Sequence, residues 1–318
     1  MNLRKIAALL MLIVMALTMT CQAETVLEPL PMDTVTAGPA PKIENYVSDV
    51  EYVDESISVK IYEGRYADTD YVYAHVKISH PSQLRTAPAS MANEKNKKPS
   101  FKDKSTGRGR HVADAVNAVI SINGDYYTKD ECKVVLRMGT QVRNRADGLR
   151  DLLIIDKNGN FSYLNNPKKD DYAAYYEANQ ANMYQVFCFG PVLVENGVSV
   201  IDTAYLNKYI GSQNNAQRTA ICQLGELEYM IVCCYGNQTK GNKGMTIYEF
   251  AQVCEMAGKE LKPETGCMLA FNLDGGNSTT MNFKRLEAKT NKWKYVKVNC
   301  PEIERFLSDI IYFATLVK

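Results

Sequence analysis

Leu269-Ala270-Phe271-Asn272-Leu273-Asp274-Gly275-Gly276-Asn277-Ser278-Thr279-Thr280-Met281 is the stretch that decides how the chain is read. Its apolar opening predicts a short buried strand that delivers Asn272 and Asp274 to its end, and Gly275-Gly276 then turns the backbone where side chains would clash. Ser278 and Thr279 follow. A carboxylate, a carboxamide, bare backbone N–H groups and hydroxyls thus gather within a few positions, the materials of a polar small-molecule site. A plain Asp-Gly hairpin turn uses the same dipeptide, and those letters alone do not separate the two readings.

Upstream, a capping box, Thr246-Ile247-Tyr248-Glu249, opens the clearest helical pattern, 244–258. Ile247, Phe250, Ala251 and Cys254 share its apolar face, and Gly258 stands at the expected stop. Much earlier, the apolar run Val119-Ile120-Ser121-Ile122 ends in Asn123-Gly124-Asp125-Tyr126-Tyr127. Asn123-Gly124 is a turn signal in its own right. Asp125 and Tyr126 add a carboxylate and a stacking face, a pairing that suits sugars. Between the two lie Phe189-Gly190-Pro191-Val192-Leu193-Val194, Asn196-Gly197 and Gln217-Arg218-Thr219-Ala220-Ile221. Gly190-Pro191 is expected to bend one strand into another, and Asn196-Gly197 to close a turn.

Asn-Leu-Asp-Gly-Gly-x-Ser-Thr-x-Met resembles the signature of the phosphodiester glycosidase family, which includes the enzyme that removes N-acetylglucosamine from capped mannose 6-phosphate. The Ile-Asn-Gly-Asp-Tyr block, the Phe-Gly-Pro-x-Leu-Val block, the Arg-Thr-Ala-Ile strand and the Gly-x-Thr-x-x-Glu helix start are similar to further blocks of that family. They run in the family's order from 119 to 281, about half the chain. One departure stands at Asn237, where many relatives carry an Arg after the glycine equivalent to Gly236.

The resemblance implies an exported hydrolase that cleaves the glycosidic bond of a sugar 1-phosphodiester and releases free sugar and a phosphomonoester. Glycoside cleavage usually takes two carboxylates. On that reading Asp274 is the base or nucleophile and Asp125 the second carboxylate, while Arg218 neutralises phosphate. Asn123, Gly124, Tyr126, Asn272, Gly275, Gly276, Ser278 and Thr279 would then bind substrate. Arg218 heads an apolar strand and needs an anionic partner, either a carboxylate such as Asp125 or Asp274 or the substrate phosphate. A non-catalytic protein that binds envelope polysaccharide or helps to assemble it is the competing reading. A metal-dependent phosphodiesterase built on Asp125 and Asp274 is less expected, since hard-metal sites recruit more acidic ligands. No cofactor and no metal site is assigned.

The start of the chain reads as a signal peptide over 1–23: Met1-Asn2-Leu3-Arg4-Lys5, an uncharged apolar run over 6–20, then small residues around Ala23. A lipoprotein site at Cys21 and an uncleaved anchor are the other readings of that segment. Prolines at 29, 31, 39 and 41 make 24–49 an expected flexible linker. The remainder, 50–318, is expected to be one α+β domain, a mixed β-sheet core with helices packed on its surface.

A net charge of +1, 46% hydrophobic and 23% charged residues suit an ordinary globular core, and neither nucleic-acid binding nor a membrane contact beyond the signal segment is suggested. Oligomeric state is not legible. Nine cysteines with only three histidines and no Cys-x-x-Cys pair argue against zinc. An exported chain can form disulfides, but several thiols sit in apolar strings where they pack as small hydrophobes, and Cys233 and Cys234 should face opposite sides of a strand. A basic loop over 92–110, with Lys95, Lys97, Lys98, Lys102, Lys104, Arg108 and Arg110, reads as solvated, or as a rim attractive to phosphate. Tyr172, Tyr175 and Tyr176 are expected on one packing face of a helix over 170–181, and Trp293 in packing. A short helix is expected over 301–307 and a closing strand over 310–317.

Overall fold

The computed structural model describes residues 27–93, 99–202 and 213–318. The signal-peptide reading of 1–23 and the lysines at 95, 97 and 98 lie outside the described residues. Three sheets carry the fold. The largest has nine strands in the order Tyr46–Ser48, Glu51–Val53, Ile57–Tyr66, Thr69–Ile78, Glu228–Cys234, Thr219–Gly225, Leu269–Asn272, Val192–Glu195 and Val198–Ser199. A second holds Lys292–Lys297, Met281–Glu287, Ala118–Asn123, Asp309–Ala314 and Leu84–Pro88. The third holds Phe161–Leu164, Asp151–Asp156, Met183–Phe189, Val134–Arg137 and Thr140–Asn144. The α+β class stands, with a correction to the pairing: every strand pair among the described residues is antiparallel, not mixed.

Alternation along the strands explains why the sheets stack as they do. Ile221, Ile231, Cys233 and Phe271 from the first sheet meet Ile120, Ile122, Ile311 and Phe313 from the second and Leu153, Ile155 and Phe187 from the third in one shared core. The opposite face of each sheet takes its own helix. Ala220, Cys222, Val232 and Cys234 lie under the helix Ile247–Leu261, so Cys233 and Cys234 do face different cores. Leu152, Ile154 and Val186 lie with Tyr172 of the helix Lys169–Asn179, while Tyr175 and Tyr176 pack at its edge. Ala118, Ile310 and Tyr312 lie with Val112 and Ala113 of the helix Gly109–Ala115. All eight cysteines among the described residues are free and buried.

Several local expectations are met. Gly190-Pro191 passes the chain from the third sheet to the first, and Trp293 packs on Tyr46 with ring centroids 5.0 Å apart. Others are corrected. Gly258 does not end its helix, which runs on to Leu261. A Cβ at 258 would come within 2.8 Å of the Cys267 Cβ, so the glycine serves the close approach of the segment that leads into the strand Leu269–Asn272. No helix forms over 301–307; Phe306–Leu307 pairs instead with Gly107–Arg108. The stretch 27–42 lacks regular helix and strand, as its prolines imply, yet it is docked: Arg85 donates to the carbonyls of Pro31 and Thr34 at 2.8 Å, and Asn117 to that of Gly38 at 2.8 Å.

The capping box forms as read, Glu249 N–H donating to Thr246 Oγ1 at 3.2 Å and Thr246 N–H to Glu249 at 2.8 Å. Thr246→Ala should therefore cost about 1 kcal/mol in chemical denaturation, with an unchanged midpoint showing that the cap contributes nothing.

Candidate active site at the junction of three sheets

The strand Ala118–Asn123 ends beside two antiparallel neighbours, with Ile310 opposite Asn123 on one side and Met281 opposite Ile122 on the other. In an antiparallel sheet the end of one strand therefore meets the start of the next, and 123–126, 279–281 and 309 converge. The first sheet adds Leu269–Asn272, whose turn docks through Asp274 N–H to the Gly124 carbonyl at 3.4 Å and Gly276 N–H to the Gln217 carbonyl at 2.8 Å. The third sheet contributes Arg137.

Asn123 joins these turns. Its amide nitrogen donates to the carbonyls of Gly124 at 3.0 Å and Asp274 at 2.8 Å, and its oxygen accepts from Thr219 Oγ1 at 2.9 Å and Thr280 N–H at 3.0 Å. With its hydrogen-bonding capacity engaged inside the protein, the Asn123 side chain shapes the site. Gly124 has a steric reason to be glycine: a Cβ there would fall 2.4 Å from Asp309 Oδ1. A Cβ on Gly275 would fall 2.7 Å from the Gln217 carbonyl oxygen, and Gly276 has φ +60°.

A small cleft is lined by Asn123, Gly124, Tyr126, Asp274, Leu307, Ser308 and Asp309. Asp274 is half-buried there, and its carboxyl is pushed up to about 6 by burial. Against that rise act a hydrogen bond from Ser278, the charge of Arg305 and the Gly275 N–H, while nearby Asp125 adds to it.

Asp125 does not line this cleft. It is fully buried, with Oδ1 2.6 Å from Arg137 Nη2 and Oδ2 accepting from the Cys188 N–H at 2.8 Å. The carboxylate that shares the cleft with Asp274 is Asp309. Its Oδ2 lies 3.0 Å from Arg137 Nε, and its Oδ1, buried, has no hydrogen-bond partner. Burial raises the Asp309 carboxyl, Arg137 opposes the rise, and Asp125 adds to it. A single buried guanidinium thus faces two buried carboxylates with Asp274 close by, and burial raises all three carboxyls.

Arg218, expected to clamp phosphate, directs Nε to the Met245 carbonyl at 3.1 Å and Nη2 to the Asn214 carbonyl at 2.7 Å. Asp125 takes Arg137 instead. Asn272 donates to the Gly190 carbonyl at 2.8 Å, and its buried Oδ1 lacks a partner, as does Thr279 Oγ1. Tyr126 sits at φ +61° on the cleft wall. The loop over 236–244 leans on the site, Gln238 accepting from Gln217 at 2.8 Å and donating to Asn277 at 3.3 Å. In the basic loop, Arg108 and Arg110 are taken up by Glu304, at 3.6 and 3.2 Å. No cluster of three metal-capable side chains occurs among the described residues, nor any helix long and apolar enough to cross a membrane.

Asp309 and Arg137 were both signalled in the sequence. Asp309 opens the apolar run Ile310-Ile311-Tyr312-Phe313, and Arg137 closes Val134-Val135-Leu136. Polar residues that bound apolar strands deserve the weight given to Asp274.

Among solved structures, the chain is similar to the zebrafish N-acetylglucosamine-1-phosphodiester alpha-N-acetylglucosaminidase catalytic domain auto-inhibited by its pro-peptide, with TM-score 0.57 and 16% identity over 91% of this chain and 98% of that one. A hypothetical protein from Synechocystis matches with TM-score 0.50 and 14% identity over 81% of this chain and 62% of that one. Likeness at such identities speaks for the fold. No curated protein matches the sequence. The sequence model of the phosphodiester glycosidase family matches residues 116–314, which spans Asn123, Asp125, Arg137, Asp274 and Asp309, and the chain belongs to that family.

Proposed function

We propose that the chain is an exported hydrolase that cleaves the glycosidic bond of a sugar 1-phosphodiester, on a glycan or envelope polysaccharide, and releases free sugar and a phosphomonoester. The observation that carries this reading is the pair Asp274 and Asp309 on one cleft, both with carboxyls raised by burial. Export rests on the basic and apolar start of the sequence.

Asp274, raised only to about 6, is ionised over part of the neutral range and serves as base or nucleophile at the anomeric centre. Asp309, buried beside Asp125, holds its proton and supplies it to the departing oxygen. A phosphomonoester leaves readily, so this proton assists the departure without having to complete it. The second carboxylate of the mechanism is therefore Asp309 in place of Asp125, whose two oxygens are engaged by Arg137 and the Cys188 N–H.

The sign of the pH dependence follows. Turnover should rise with pH through about 6 as Asp274 loses its proton, then fall on the alkaline side as Asp309 loses its own. Rates on a panel of sugar 1-phosphodiesters, with and without chelator, check this. A flat profile between pH 5 and 8 would remove the two-carboxylate mechanism, and absence of turnover on every substrate would leave recognition alone.

A further inference from the structure

Arg218 leaves phosphate recognition unassigned. Three carboxylates, Asp125, Asp274 and Asp309, stand at the site with one buried guanidinium among them, and Arg137 is shared between two of the three. A phosphodiester carries a further negative charge. Bringing it to the cleft requires cations at the mouth that are not already neutralised.

Tyr126 marks where they are. The guanidinium centre of Arg305 lies 5.2 Å from its ring centroid and Lys129 Nζ 5.3 Å from the same centroid. Stacking on one ring narrows the rotamer freedom of both long side chains, which would otherwise have to be frozen by the ligand. Both residues are exposed, and among the described residues neither is in a salt bridge. Their acidic neighbours are engaged elsewhere, Glu304 with Arg108 and Arg110 and Asp130 with Arg145. Arg305 also acts on Asp274, whose carboxyl its charge holds down.

Tyr126 itself takes φ +61°, a left-handed conformation that a bulky residue adopts at a cost. The turn it makes is closed by Lys129 N–H on the Tyr126 carbonyl at 3.0 Å, so the tyrosine that lines the cleft and the lysine that stacks on it are fixed by one turn. The opposite side is brought in by Phe306–Leu307 pairing with Gly107–Arg108, which sets Arg305 just before a fixed strand.

We propose that Arg305 and Lys129, held on the ring of Tyr126, form the phosphate-binding clamp of the cleft and select substrates in which the sugar is joined to a phosphodiester. This rests on the hydrolase reading above for its substrate, but the anion site is testable alone. The probes are inorganic phosphate and glucose 1-phosphate, titrated by calorimetry into the wild type, Arg305→Gln, Lys129→Gln and the double variant. All are exposed substitutions, and thermal unfolding confirms that each is folded.

The double variant should bind both probes at least about tenfold more weakly, the scale of losing charge-assisted hydrogen bonds. Arg305→Lys should recover part of the loss, and Asp274→Asn should bind phosphate as well as the wild type or better. On any phosphodiester that is turned over, the variants should raise KM, and Arg305→Gln, which removes a charge that holds the Asp274 carboxyl down, should also move the acidic limb of the pH profile upward. Phosphate binding unchanged in the double variant, or absent from the wild type, overturns the clamp even if hydrolysis is found. Clamp-dependent binding without turnover of any phosphodiester supports the clamp and removes the hydrolase reading.

Discussion

Asp274→Asn is expected to leave the protein folded and to lower turnover by at least about a hundredfold, the usual scale for losing an acid–base group. The substitution keeps volume and one acceptor oxygen, and the backbone bonds that dock the turn, Asp274 N–H to the Gly124 carbonyl and Gly276 N–H to the Gln217 carbonyl, do not involve the side chain. Only the charge is removed. Burial is the main influence on this carboxyl and acts against the charge, raising it to about 6. A carboxyl raised in the folded state binds more protons there than when unfolded, so its contribution to stability declines as pH rises from about 4 to 6. Above that window the wild type carries a charge that the fold disfavours. The amide does not, and Asp274→Asn should unfold at the same temperature as the wild type or higher at pH 8. Loss of activity with retained or increased stability is the pattern of a functional carboxylate. Full turnover in the folded variant would reduce Asp274 to a turn residue and sink the mechanism.

How much of this was legible in the sequence depends on whether the information was local. Asn123-Gly124 and Asp274-Gly275-Gly276 announce themselves because apolar strands run into them, and the structure joins those turns through the Asn123 amide. Alternation placed Cys233 and Cys234 on opposite faces, and the Thr246-Glu249 cap needed only its own four residues. Partners across long separations were a different matter. Arg218 and Arg137 both bound apolar strands, but which of them meets a carboxylate depends on strand order, and Asp309 lies 172 residues from Arg137. Asp309 was passed over because it begins its strand, and only antiparallel pairing brings a strand's start to its neighbour's end. Gly258 looked like a stop because nothing nearby in sequence reveals that Cys267 presses on it.

Arg137→Met is the substitution expected to damage the fold most. The guanidinium is fully buried, stacks over Phe187 with 4.1 Å to the ring centroid, and donates to Asp309, Asp125 and the carbonyls of Leu136 and Val186. Methionine fills much of the same apolar space, so loss of packing is not the main effect. What remains is a pair of buried carboxyls whose common cation is gone. Breaking such a pair from one side costs about 3–5 kcal/mol, a large share of the roughly 5–15 kcal/mol that holds a typical domain together. Burial already raises both Asp125 and Asp309 against the pull of Arg137, and without Arg137 both rise further. The folded variant then binds more protons than its unfolded chain over a wider range, so its stability falls as pH rises and returns toward acid. Chemical denaturation at pH 5 and pH 8 should therefore show a modest deficit at the lower pH and a severe one at the higher. Adding Asp309→Asn to Arg137→Met removes one of the stranded charges and should restore part of the loss at pH 8. Arg137→Lys, which keeps the charge without the fork that spans two carboxylates, should fall between. A variant Arg137→Met as stable as the wild type at pH 8 would show that removing Arg137 strands no charge on Asp125 or Asp309, and would sink the account of a shared cation.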